Sequence, residues 1–168
     1  MIYGLLPLLD GWAWRYKEYT GSISIGETVK LDEIQAPGYF VAVSTLLSGS
    51  RDAKHVHIHV DIDHPERPFS IDFTPFGLYA FGSVLPIPFG GYVNKWDDAN
   101  KAYTGSIVPA RPVPFAHSFR IKLIAPSGPV EESEALDISY HAALVLIEIF
   151  NVERFKESVN RVFRGELT

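Results

Sequence analysis

Over most of residues 12 to 149 the apolar residues of this chain return at every second position in short runs, and that period admits extended strands and little else. "HVHIHVDIDH", residues 55–64, is the clearest case, with Val56, Ile58, Val60 and Ile62 set between histidines and aspartates. "GWAWRYKEY" puts Trp12, Trp14 and Tyr16 on one side of an extended segment and Ala13, Arg15 and Lys17 on the other. "GSISIGETVKLDEI" predicts a strand, a turn at Gly26 and a second strand; "GYFVAVSTLL" predicts a buried strand after the Pro37-Gly38 turn. Further strands are expected in "FSIDF", "GYVNKW", "AYTGSIV", "SFRIKLI" and "LDISYHAALVLIEIF". About nine or ten short strands in one chain suit two packed sheets. The fold class expected is all-β: a two-sheet antiparallel sandwich of jelly-roll type.

Helical period is expected only in "NVERFKESVNRVFRGE", where Val152, Phe155, Val159 and Val162 share a stripe. Asn151 can cap its start, Arg161 and Arg164 suit its negative end, and Gly165 can stop it. The chain of 168 residues is long enough for one core and is divided into an N-terminal arm or first strand (1–19), the sandwich (20–150) and a short amphipathic C-terminal helix (151–168) lying on the same domain or on a neighbouring subunit. Ten of the twelve prolines fall between Pro65 and Pro129, flanking strands and marking loops and edges.

A net charge of -5 with no basic cluster speaks against a nucleic-acid partner. The apolar opening "MIYGLLPLLDGWAW" has no basic leader and meets Asp10 well short of the roughly 20 residues of a membrane span, so neither a signal peptide nor a membrane partner is expected, and assembly in the cytoplasm is. Zero cysteines exclude disulfides, zinc-thiolate sites and a cysteine nucleophile. A single Met, a single Gln and four Asn are a lean set of thermolabile residues, the pattern of a thermophile protein. No serine elbow or phosphate-cradling glycine loop appears, so nucleophilic catalysis is not expected; an enzyme is the alternative only as a metal-dependent, cupin-like one using His57 and His59.

On a strand, side chains two apart stand roughly 7 Å from each other, so His57 and His59 can converge on one divalent metal while His55 cannot join them. Asp61 on the same face, His117 and His141 are the candidates to complete such a site. The cupin family also uses His-x-His, but followed by a Glu that "VDIDH" lacks. The alternative is a half-buried strand whose aliphatics face the core and whose histidines face out, in no need of a cofactor. Pairing with "SFRIKLI" would then set Asp61 and Asp63 against Arg120 and Lys122, and three histidines on one face would make contacts there sensitive near pH 6. Trp12, Trp14 and Tyr16 are either a carbohydrate platform or part of an interaction surface that includes Phe155, Val159 and Phe163 of the helix. Asp97 and Asp98 lack the spacing of a calcium loop and predict a hairpin turn, and Glu148, within an apolar run, requires a partner.

Read together, "GYFVAVSTLLSG", "VHIHVDID", "FGLYAFG", "GGYVNKWDDANKAYTGSIVPARPVPFAHSFRIKLIAPSG" and "ALVLIEIF" resemble the small β-sandwich structural proteins of tailed phages and archaeal viruses, over residues 20 to 150. No catalytic or binding residue belongs to that likeness. It implies a virion component, such as a capsid decoration or tail protein, acting as a homo-oligomer of three or more copies.

Overall fold

The alternating pattern yields eleven strands among the described residues of the computed structural model, which are 8–82 and 90–166. The beginning of the apolar arm and the proline-flanked stretch 83–89 lie outside them. The strands are β1 (Trp12–Ile23), β2 (Thr28–Ile34), β3 (Gly38–Ser48), β4 (His57–Ile62), β5 (Phe69–Phe73), β6 (Gly91–Tyr92), β7 (Trp96–Asp97), β8 (Ala102–Ile107), β9 (Val113–Phe115), β10 (Phe119–Ile124) and β11 (Ile138–Ile149). All pairings are antiparallel. One sheet runs β1-β11-β3-β8-β6, with β7 also on β8 and β9 on β3; the other runs β2-β10-β4-β5. Two antiparallel sheets make the expected sandwich.

Consecutive long strands change sheet, except at the β4–β5 hairpin. β1 passes to β2 through Ser24–Glu27, a turn that needs Gly26 at φ +86 and is held by the Gly26 N–H on the Pro126 carbonyl at 2.7 Å. Between the sheets lie Phe40, Val43 and Leu47 of β3, Leu144 and Leu146 of β11, Ile58, Val60 and Ile62 of β4, and Phe119, Ile121 and Leu123 of β10. Phe40 and Phe119 stack across the gap with ring centres 5.5 Å apart. At about 1.5–3 kcal/mol for each fully buried large side chain, this layer is the principal source of stability.

A second, smaller apolar layer covers the outside of the seven-stranded sheet. Helix α2 (Val152–Phe163) lays Phe155, Val159 and Val162 on Ile147 and Val145 of β11 and Tyr39 and Val41 of β3. The Asn151 side chain caps it by accepting the Arg154 N–H at 3.0 Å. The β11–β3 register shifts between Val145 and Leu146, where Val41 is the extra residue on β3.

Three expectations require correction. The boundary at residue 20 falls inside β1, which continues to Ile23. The strand expected to begin at His55 begins at His57, because residues Arg51–His55 close into a 3₁₀ turn capped by Ser50. A further helix, α1 (Pro75–Gly82), forms where no helical period is visible: "PFGLYAFG" is apolar on every side, so no stripe marks it. Pro75 suits a first helical turn, and the Thr74 hydroxyl accepts the Gly77 N–H at 2.9 Å.

Candidate interaction surfaces

On the four-stranded sheet the parity of β4 turns Ile58, Val60 and Ile62 into the core and His57, His59 and Asp61 outward. The carboxylate nearest the two histidines is Asp72, supplied by β5, where it sits opposite His59. His57 Nδ1 lies 2.6 Å from one Asp72 oxygen and His59 Nδ1 2.9 Å from the other. His59 Nε2 lies 2.9 Å from Asp61, which also accepts the Ser70 hydroxyl at 2.6 Å. Burial raises the Asp72 carboxyl, but its hydrogen bonds with His59 and His57 outweigh that and hold it below the ordinary carboxylate range. Asp61 is likewise raised by burial and lowered further by Ser70 and His59.

β10 completes this face. Arg120 stands opposite Asp61, and Lys122 opposite His59. The Arg120 guanidinium goes instead to Glu33 of β2 at 2.8 Å, and Lys122 Nζ reaches Asp61 at 3.9 Å. Lys30 and Arg120 together pull Glu33 down to about 2. Asp63 does not oppose a basic residue; it lies beyond β4, its N–H on the Ser118 carbonyl at 3.2 Å. His117 is exposed between β9 and β10, and His141 belongs to the other sheet, 3.7 Å from Glu18, so neither approaches His57 and His59. Among the described residues no group of three or more His, Asp or Glu side chains is placed to hold a metal ion.

The outward face of the seven-stranded sheet carries the other candidates. Trp12 is half-buried beside α2, and its indole N–H donates to the Leu9 carbonyl at 2.7 Å. Trp14 meets Trp12 edge-on, with ring centres 6.0 Å apart, and is 48% exposed; Tyr16 is 63% exposed and donates to Glu18. Phe155 and Val159 are taken up by the chain's own sheet, whereas Phe163 at the helix end is 80% exposed. Glu148 finds its partner in Arg15 of β1.

A third cluster has no counterpart among the sequence expectations. Lys54, 7% exposed at the end of the 3₁₀ turn, places its ammonium 5.4 Å from the Trp96 ring centre and 5.5 Å from that of Tyr103, pairing with Glu131 at 2.7 Å and Asp98 at 3.5 Å. Tyr79 of α1 stacks on Trp96 at 4.2 Å, and His55 pairs with Glu131 at 2.8 Å. Asp97 and Asp98 make the expected hairpin turn, Asp97 accepting the Asn100 N–H at 2.9 Å. The aromatic and acidic surroundings of Lys54 could have been suspected only by knowing that α1, β7 and the β10–β11 connection converge on it.

No family model matches the chain. No curated protein sequence matches it either. Among solved structures it is similar to the VP2 subviral particle of infectious bursal disease virus, at 8% identity and a TM-score of 0.42, covering 84% of this chain and 33% of that one. The chain thus spans about a third of the length of that viral chain. It is also similar to PliG, a periplasmic inhibitor of g-type lysozyme, from Aeromonas hydrophila (10% identity, TM-score 0.32, 78% of this chain and 85% of that one) and from Salmonella Typhimurium (12%, 0.34, 77% and 86%). Likenesses this shallow carry no function across to the chain.

Proposed function

We propose that the chain acts by association, as a structural protein that assembles with copies of itself into a homo-oligomer of three or more, in the manner of a virion component. The observation that carries this is the rim of large exposed side chains around the helix-covered patch. Tyr16 and Trp14 lie along β1, Phe150 (62% exposed) at the turn into α2, and Phe163 at its end. Aromatics so placed are the usual anchors of protein interfaces. Two four-strand orders, β1-β11-β3-β8 and β2-β10-β4-β5, between which the chain alternates except at the β4–β5 hairpin, support a jelly-roll winding, a fold that capsid proteins use.

Sedimentation velocity on the purified chain is the test. Three or more copies are expected at ~10 μM, a concentration at which a standard-size interface is well populated. Replacing Tyr16 and Phe163 with serine should dissociate them while the far-ultraviolet circular dichroism stays unchanged. A monomer at every concentration overturns the proposal.

Carbohydrate binding at Trp14 and Tyr16 is a second reading, favoured by the edge-on contact of Trp12 that fixes the Trp14 plane. Tryptophan fluorescence titrated with soluble polysaccharides tests it; an unshifted spectrum counts against it.

A further inference from the structure

β1 ends the seven-stranded sheet and pairs only with β11. From Tyr16 to Ser22 its backbone bonds to no other described segment, and Tyr16, Glu18, Thr20, Gly21 and Ser22 are exposed. The register against β11 runs without a shift over all 12 residues, so no bulge turns the edge away, and no proline within it removes a donor. A row of unpaired N–H and C=O groups is a template for one kind of ligand, another extended chain.

The charges along β1 select which chain. Arg15, Lys17 and Tyr19 point to one face of the sheet, Trp14, Tyr16, Glu18 and Thr20 to the other. Antiparallel pairing of two copies about a two-fold axis keeps like face with like face, so the residue on the axis fixes every cross-strand pair. An axis at Arg15 opposes two arginines; at Tyr16 it opposes Arg15 to Lys17. At Lys17 or Glu18 it opposes two identical charges. Each of these is destabilising. An axis at Thr20 avoids like charges but runs Tyr16 past the strand end at Ile23.

Only an axis at Tyr19 uses all the open residues and opposes no like charges: Tyr16 meets Ser22, Lys17 meets Gly21, and Glu18 meets Thr20. We infer that β1 pairs with β1 of a second copy, antiparallel and centred on Tyr19, joining two seven-stranded sheets into one. The inner face is prepared for this, since Asp32 already holds the Lys17 ammonium at 2.7 Å and the Tyr19 hydroxyl at 2.6 Å. The two Glu18 carboxylates lie on the diagonal, each with its own Tyr16 hydroxyl and with His141 at 3.7 Å beside it. This pairing rests on the self-association proposed above and supplies one of its contacts; a two-fold contact makes the number of copies even.

The test is a concentration series of the full chain and of two variants at the exposed Thr20, by sedimentation velocity and by amide hydrogen exchange. Thr20→Glu sets a carboxylate against Glu18 twice per contact and should weaken association about tenfold; Thr20→Lys sets an ammonium there and should tighten it several-fold. Exchange across residues 16–22 should slow as concentration rises. Association unchanged by both variants, or exchange in 16–22 that ignores concentration, overturns the edge pairing while leaving self-association through another surface intact. A wild-type chain that stays monomeric overturns both.

Discussion

The Asp52 carboxylate accepts the backbone N–H of Glu131 at 2.6 Å with the other oxygen 3.1 Å from the N–H of Val130, and none of the aspartate is exposed. One buried side chain thereby fastens the long β10–β11 connection to the 3₁₀ turn and brings Glu131 to Lys54.

Asp52→Ala leaves two amides without an acceptor. The amides are part-buried and can take up water, so the loss expected in denaturant unfolding is that of a hydrogen bond to a charged group, about 2 kcal/mol. The Trp96 emission should shift as well, because Lys54 loses the loop that brings its Glu131 partner.

Phe119→Ala removes the ring that meets both Phe40 and Phe115, at 5.5 and 5.4 Å. A fully buried phenylalanine truncated to alanine costs about 3–5 kcal/mol. A thermal melt within a degree or two of the wild type would contradict the two-sheet core described above.

Gly11 sits at φ +77, and an added Cβ would lie 2.5 Å from the Asn151 carbonyl oxygen. Its own carbonyl accepts the N–H groups of Phe150 and Asn151 at 3.0 and 3.1 Å. Gly11→Ala therefore strikes the junction where α2 docks, and amide exchange in residues 152–163 is expected to accelerate selectively while β10 keeps its protection.

The histidine face makes an acid limb. Asp61 and Asp72 have folded-state pKa values below their unfolded values, so their contribution is complete above about pH 4 and disappears as pH falls through the folded values. Unfolding midpoints measured between pH 5 and pH 2 should decline, and Asp72→Asn should flatten that decline. An unchanged slope in the variant would show that the Asp72 contacts with His57 and His59 contribute no stability.

Much of this arrangement was legible along single strands. The aliphatics from Val56 to Ile62 point inward as their spacing requires, Asn151 caps the helix, and Glu148 finds an ion-pair partner. What pairs with what was less so. Asp72 lies in a strand that was anticipated, and the short "HPERP" connection makes β4 and β5 neighbours, yet its place between His57 and His59 depends on a register that no single strand encodes. Helix α1 was hidden by its own uniform apolarity. The Lys54 cluster was hidden for another reason: its members come from the 3₁₀ turn, α1, β7, β8 and the β10–β11 connection, and local periodicity has no access to convergence over that range.

Val41 is one residue too many for the partner strand, and that surplus changes which side of β3 is dry. Because Val41 and Ala42 both face α2, Phe40 and Val43 can both face the core, and the helix meets apolar side chains of β3 as well as Ile147 and Val145 of β11. Deleting Val41 would restore plain alternation through Tyr39, Phe40, Ala42 and Val43, so the space between the sheets stays filled while the helix gives up one of the side chains that anchor it.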